Sequence, residues 1–485
     1  MKNKIKQLLH QGCLFLAILS ILSSCTLPRQ LQVKNEMVVP STYFEVDSVL
    51  QKDQTVPQWR NFFKDPYLNA LIDTAIKNNQ DMKIAGQRIE QAQANMRYHI
   101  RNFYPAVQTG ASYGLTKFGD YTVDGVGNFD TNLSQNISAE QRIPDPVPDY
   151  FIGLQASWEI GFAGKLRNRK KAALERFKAS TYYKNYIQTQ LVSGVARLYY
   201  ELLAVDNELK IIRQNLDIQE RAMEIVAIQK QSGQINELAV KQFQVQLLQT
   251  RALEAERNQH LIVASNMLNG LTGRFPGEIP RADTLINSNQ LAQLQTGLPL
   301  ALLENRPDLK EALALLGSNE ADLKAARAAF FPALNLTGFA AFNGFNTRYL
   351  FNPASLAYMG VGSLTMPLLN RKELSYQYRW QAAEKNIAVY NYQKVLLQSV
   401  GEVSSLYNTM QAYQQVSNLK FAEVSELKMA LNIGNDLFLT GFANYLEVLM
   451  IRRNVLDAEL QYTNAQKQFF HAYIDLYKAM GGGWN

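Results

Sequence analysis

Two periodicities run along this chain. Val195, Leu198, Leu202, Val205, Leu209, Ile212 and Leu216 are spaced alternately three and four residues apart, and Met223 and Val226 continue the series. This is an a/d stripe, the seam of a coiled coil. No proline falls between Pro148 and Pro276 or after Pro367, so nothing in those stretches forces a helix to stop. The pattern predicts a helix over 165–232, roughly 100 Å long at about 1.5 Å per residue. It turns at Gly233 and returns over 236–269. A second pair is predicted over 371–439 and 443–480. Shorter helices over 70–102 and 300–329 are expected to stack end to end with the returning helices. The faces away from the stripe are rich in Gln, Asn, Lys and Glu and are therefore hydrated.

Elsewhere the period is two. Val107, Thr109, Ala111, Tyr113 and Leu115 alternate with Gln108, Gly110, Ser112 and Gly114. Ile152, Leu154, Ala156, Trp158 and Ile160 alternate with Gly153, Gln155, Ser157 and Glu159. Leu334, Leu336, Ala340 and Phe342 oppose Asn335 and Thr337, whereas Leu356–Met366 alternates poorly. One apolar and one small-polar face suits either a half-buried soluble sheet or strands of a membrane barrel with small polar positions lining the lumen. A closed membrane barrel needs at least about eight strands, more than one chain supplies. An open edge in lipid would leave backbone groups unpaired. Either the segments are soluble, or several chains share one barrel.

Helices and strands recur in the same order because the chain is duplicated. Asn78, Asp81, Lys83, Ala85 and Ala94 match Asn305, Asp308, Lys310, Ala312 and Ala321, and Phe103-Tyr104-Pro105-Ala106 matches Phe330-Phe331-Pro332-Ala333. Further on, Gly153 matches Gly360, Gly194 matches Gly401, and Gly233, Asn236 and Leu238 match Gly441, Asn444 and Leu446. The copies are unequal. The first has the longer loop, Thr116–Asp149, and only the second has an acid six residues beyond its turn glycine.

The start of the chain is an address. Lys2, Lys4 and Lys6 precede an apolar run, Leu14–Leu22, that is short for a permanent membrane span. It ends in Leu22-Ser23-Ser24-Cys25, a pattern similar to the bacterial lipobox, which makes Cys25 the expected lipid attachment site and mature N-terminus. Thr26 in place of an Asp favours the outer membrane. The only other thiol is Cys13, inside the leader, so a disulfide framework and a cysteine metal site are excluded. The formal net charge of +7 includes the leader lysines and is too mild and dispersed for a nucleic-acid ligand. Four histidines are scattered, no phosphate-binding glycine loop follows a strand, and no nucleophile–base motif occurs. The chain is therefore expected not to be an enzyme and to need no cofactor or metal.

The lipobox, the duplicated helix–strand–strand–helix unit and the Gly-Asn turns together resemble the lipoprotein branch of the TolC-like outer-membrane efflux proteins. The most specific stretches are Asn305-Arg306-Pro307-Asp308-Leu309, Phe330-Phe331-Pro332-Ala333-Leu334, Ser157-Trp158-Glu159-Ile160 and the turn from Gly441 to Glu447. Gly161 departs from the pattern, since many relatives carry an acid there. The resemblance implies a mainly α fold with a small β part: a homotrimer whose four strands per chain close one twelve-stranded barrel in outer-membrane lipid, above a coiled-coil α-barrel in the periplasm. It implies a periplasmic adaptor (membrane fusion protein) and an inner-membrane pump as partners, with the channel itself a passive duct for drugs or other small molecules. It places the periplasmic constriction at Glu447 and Met450, where the second acid of the family is replaced, and adaptor contacts at Gly233, Gln234, Asn236, Gly441, Phe442 and Asn444. A tight helical turn and a solvated helix-face Glu are the plainer readings of those positions.

The expected organisation is a signal peptide over 1–24, a lipid-anchored segment over 25–64, a first efflux repeat over 65–270, an equatorial connector over 271–297, a second repeat over 298–480 and a frayed tail over 481–485. A conduit for secreted protein or peptide, a duct for metal ions and a periplasmic coiled-coil scaffold without a pore remain as alternatives.

Overall fold

The structure is a computed structural model; it describes residues 37, 39–40, 56–161, 163–233, 235–283, 302–367 and 372–484. The leader, Cys25 and Gln234 lie outside the described residues, as do most of the expected lipid-anchored segment and most of the expected connector.

A short helix α1 (Trp59–Phe62) precedes α2 (Pro66–Asn78) and α3 (Gln80–Arg101). Strand β1 (Ala106–Thr116) leads through helix α4 (Val123–Leu133) to β2 (Val147–Ile160). The 67-residue α5 (Lys165–Gln231) and α6 (Glu237–Leu271) complete the first copy. The second copy runs α7 (Leu302–Asn305), α8 (Pro307–Ala328), β3 (Ala333–Gly344), β4 (Leu356–Thr365), the 68-residue α9 (Lys372–Leu439) and α10 (Tyr445–Ala479). The long helices and all four strands lie where the periodicities put them. The short helices do not run unbroken. What was expected as one helix over 70–102 is broken at Asn79, and its counterpart over 300–329 at Arg306. At the first break Asn79 leaves the helical region and its Oδ1 accepts from the backbone N–H groups of Asp81 and Met82, so it restarts the helix as an N-cap.

The chain divides into two compact units that cut across the duplication. One contains Ala94–Glu175 and Leu316–Val389 and holds the sheet. The other holds the described parts of Asn35–Gln93, Arg176–Leu315 and Tyr390–Asn485.

In the first unit the strands form an antiparallel sheet of order β1-β2-β3-β4. The register puts Val107 opposite Ala156, Tyr113 opposite Tyr150, Leu154 opposite Ala340 and Ala340 opposite Tyr358. The alternating apolar residues of β1, β2 and β3 therefore share one face with Leu356, Tyr358 and Leu364 of β4. β4 alternates poorly because Met359 and Val361 are apolar on the other face too. That face also carries Phe151 and Phe339, packed edge to face at 5.6 Å, so the expectation of small polar residues throughout is corrected. Gly153 is required there: a Cβ would lie 2.3 Å from the Ala341 Cβ and 2.5 Å from the Ala340 carbonyl oxygen. Neither β1 nor β4 has a partner on its outer edge among the described residues.

In the second unit the a/d stripe is core. Val195, Leu202, Val205, Leu209 and Ile212 are buried, and Ile212 and Leu216 pack with Leu456 of α10 and against Leu247 and Leu253 of α6. Ion pairs fix the register of the packed helices: Lys467 to Glu201 at 3.1 Å, Arg257 to Glu208 at 2.6 Å, and Arg197 to Asp475. An aromatic cluster ties the N-terminal segment to this bundle. Phe62 stacks on Tyr477 at 3.9 Å and Tyr200 on Phe470 at 4.5 Å, and Tyr477 Oη donates to the Pro57 carbonyl. Among the described residues no helix is long and apolar enough to cross a membrane.

Candidate functional site

Three places carry the features expected to matter: the two helical turns, the helix breaks and the exposed sheet.

The turns have matching geometry. Gly233 and Gly441 adopt φ of +73° and +82°, the left-handed conformation in which a side chain is strained. Each is followed by an Asn N-cap. Asn236 Oδ1 accepts from Ala239 N at 3.1 Å, and Asn444 Oδ1 accepts from Glu447 N at 3.1 Å. Only the second turn closes a capping box, because Glu447 Oε2 also accepts from Asn444 N at 3.4 Å. Glu447, singled out in the sequence as a constriction acid, thus has a local role as the third residue of α10. Its side chain is exposed, as are those of Met450 (64%) and Phe442 (85%). In the first turn the acid sits two residues earlier: Glu237 pairs with Lys230, whose ammonium holds that carboxyl below the usual carboxylate range.

The hairpins also meet behind the turns. Tyr445 Oη donates to Gln242 Oε1 at 3.1 Å, and the rings of Phe243 and Tyr445 lie 6.3 Å apart. Arg452, half-buried between α9 and α10, donates to Asn435 Oδ1 at 3.2 Å, and burial lowers its pKa. Sequence reasoning missed Tyr445, Gln242 and Arg452; none stands in a repeated motif. Nearby apolar residues are uncovered in the single chain, among them Ile225, Ile228, Leu238, Ile433 and Leu437.

The helix breaks are where the duplication is clearest. Asn79 Nδ2 donates to the Leu271 carbonyl at 3.0 Å, and Arg306 Nη1 donates to the Ala479 carbonyl at 2.9 Å. Donors and acceptors correspond between the copies. At each break the first side chain past the short helix caps the last turn of the returning helix, satisfying an end carbonyl. Gly273 and Gly481 follow, at φ of +68° and +90°, and a Cβ on either would strike the backbone of Asn78 or Asn305. The motif Asn305-Arg306-Pro307-Asp308 thereby acquires a physical reason. Arg306, 11% exposed, makes a two-pronged bond to Asp308 (3.0 and 2.7 Å) and another to Glu402 (2.8 Å); these carboxylates raise its pKa against the opposing effect of burial. Glu311, a turn further on, is pushed up to about 7 by burial and by Asp308, with Arg88 opposing.

The glycine-rich end is not a frayed tail. Gly481, Gly482 and Gly483 are buried, Trp484 Nε1 donates to the Asn305 carbonyl at 3.0 Å, and Lys310 lies 5.1 Å from the Trp484 ring centroid. Gly482 packs against the Tyr477 ring so closely that any side chain would overlap it. Three glycines in a row look like a disordered end in sequence; here they let the backbone pass between helices.

At the foot of the sheet Gly161 also finds an explanation. A Cβ there would lie 2.9 Å from the Leu166 Cγ, and Lys165 pairs with Glu159 at 2.9 Å. In this chain Glu159 supplies the acid for Lys165. Among the described residues no group of three or more His, Cys, Asp or Glu side chains is placed to hold a metal ion.

Set beside known proteins, the chain matches the family model described as outer membrane efflux protein over residues 71–274 and 298–482. It is 27% identical over 431 residues to the solvent efflux pump outer membrane protein SrpC of Pseudomonas putida, covering 89% of this chain and 88% of that one. It is 26% identical over 475 residues to the probable outer membrane lipoprotein SilC of Salmonella typhimurium, covering 98% and 96%. The fold is similar to the crystal structure of CusC, with a TM-score of 0.80, 26% identity and coverage of 94% and 99%. It is also similar to that of the Campylobacter jejuni CmeC outer membrane channel, with a TM-score of 0.81, 22% identity and coverage of 94% of both chains.

Proposed function

The chain belongs to the outer membrane efflux protein family, and from that premise we propose that three copies form the outer-membrane duct of a tripartite efflux system. In this reading a periplasmic adaptor joins the duct to an inner-membrane pump that supplies the energy. The observation that carries it is the sheet: four strands with an apolar face in common and two edges that have no partner among the described residues. In lipid such a sheet must be completed by other strands, and three copies supply twelve. The uncovered apolar residues of the long helices fit the same assembly, because neighbouring copies would bury them.

The channel adds no chemistry of its own; bound in the assembly, it offers a water-filled path. Glu447 would contribute a ring of three carboxylates at the periplasmic end, with Met450 one helical turn beyond it. The turns at Gly233 and Gly441, with Gln234, Asn236, Phe442 and Asn444, would meet the adaptor. Cys25 would carry the lipid, and the boundaries 65–270 and 298–480 would delimit the two repeats on either side of the connector at 271–297. Relatives named for solvent, cation and pyoverdine export support a small solute as cargo over a polypeptide.

Deleting the gene tests the reading. Raised sensitivity to dyes, detergents, solvents, antibiotics or metal salts is expected. Unchanged sensitivity across that panel, with one polypeptide accumulating inside the cell, would transfer the assignment to protein secretion. For the anchor, mass spectrometry of wild-type membranes should find Cys25 acylated, and an unmodified Cys25 removes that part of the proposal.

A further inference from the structure

The loop between β1 and β2 carries a helix turned inside out. α4 is capped by Thr122, whose Oγ1 accepts from Gly125 N at 3.1 Å, and Asn132 clamps the backbone of Ile143 through both its amide atoms, at 2.8 and 2.9 Å. Gly125 sits so close to the Gly119 carbonyl that no side chain fits. The face toward the rest of the loop is thus small and polar: Gly125, Asn128 and Asn132 are its half-buried residues. The apolar residues point away from it. Val123, Val126, Phe129 and Leu133 recur every three or four positions and are 90, 56, 68 and 67% exposed. An ordered helix with its apolar stripe uncovered marks a contact surface.

Charge and continuity choose the occupant. Helices that lie on membranes put Lys and Arg on their polar face to meet anionic lipid. α4 has Asp124 and Asp130 and no basic residue, and the loop Thr116–Asp149 holds six acidic and two basic residues. An anionic lipid surface is a poor match. As to continuity, all four strands join their helices at one end of the sheet. The loop therefore stands at the other end and adjoins β1, whose outer edge has no partner among the described residues and is where the proposed assembly brings the next copy.

We infer that the stripe Val123–Val126–Phe129–Leu133 packs against the same helix of the neighbouring copies and narrows the outer mouth of the duct with an apolar seal. This rests on the trimeric-duct reading. It gives the longer first loop a role, because hydrophobic constrictions gate by excluding water.

The test uses the full-length protein, in which Cys13 and Cys25 are the only native cysteines and neither is expected as a free thiol in the mature form. Val126→Cys and Phe129→Cys, oxidised in intact outer membranes, should yield disulfide-linked pairs of chains within the trimer. Purified Phe129→Asp/Leu133→Asp trimers should conduct about twofold or more above wild type in planar bilayers, as expected when water enters an apolar constriction. Intact, conducting trimers with no cross-link at either position would overturn the inference while leaving the duct reading in place. So would a Phe129→Trp fluorescence quenched by lipid-phase quenchers, which would put the stripe in the membrane, or unchanged conductance of the double variant. Wild-type trimers that never conduct would instead sink the duct reading, and this inference with it.

Discussion

Glu447 is where a structural role and an electrostatic role can be separated by one atom. It is the third residue of α10, closing a capping box with Asn444, and it is also the acid proposed to ring the periplasmic end. Gln serves at that capping position as Glu does, so Glu447→Gln keeps the cap and removes the charge. Glu447→Ala removes both, and Asn444→Ala removes the main cap at about 1 kcal/mol. The electrostatic term can be bounded. The side chain is exposed, so a water-like dielectric applies. A divalent cation about 6 Å from each of three carboxylates would gain about 4 kcal/mol before screening. A Debye length of about 8 Å at physiological salt roughly halves this, leaving about 2 kcal/mol, or about thirtyfold in affinity. The assay is block of single-channel current by a multivalent cation, run beside thermal unfolding of the purified trimer. Glu447→Gln should weaken block about tenfold or more with stability unchanged, while Asn444→Ala should lower stability with block retained. Equal block in wild type and Glu447→Gln would refute the ring. A loss of stability as large in Gln as in Ala would refute the capping role.

The two helix breaks should differ in strength. Arg306→Ala strands Asp308, Glu402 and the Ala479 carbonyl and is expected to cost about 3–5 kcal/mol, whereas Asn79→Ala loses neutral bonds worth about 1–3 kcal/mol; thermal unfolding of the trimers should rank them in that order. Gly153→Val should abolish accumulation of trimer in the outer membrane, because its Cβ has no room beside Ala341. Gly110→Val, cross-strand from it with nothing near its Cβ, should be tolerated, as membrane fractionation will show. Glu311 binds its proton more tightly folded than unfolded, since burial and Asp308 raise it from 4.5 to about 7. Its contribution is therefore present below about pH 4.5 and lost as the pH rises to about 7. Glu311→Gln should flatten the pH dependence of the unfolding temperature across that window, and an unaltered slope would show that the carboxyl is not buried as described.

Much of this architecture could be read from periodicity, because the forces that set it are local and repeated. The Val195–Leu216 stripe needed only its spacing to be recognised as core, and the β1 and β2 alternation only its parity. The fourth strand was legible as a segment but not in its facing, because Met359 and Val361 put apolar residues on both faces and only the pairing with β3 fixes which face is which. The breaks at Asn79 and Arg306 were hidden for another reason. Each side chain bonds a carbonyl far along the chain, at Leu271 or Ala479, and no local pattern reports such a bond. The same holds for Gly481–Gly483, whose conformation follows from Tyr477 and Asn305 beside them. At the turns, the glycines and asparagines were legible as caps, but the Tyr445–Gln242 bond joins side chains from different copies at positions the duplication does not repeat.

That one chain's four strands are a fraction of a pore is tested most directly by the current carried by purified trimers in planar bilayers. Discrete conductance steps of one size are predicted from trimers, and none from monomers held apart in detergent. Intact trimers that repeatedly insert and yet pass no current would contradict the shared pore and leave a periplasmic scaffold in its place.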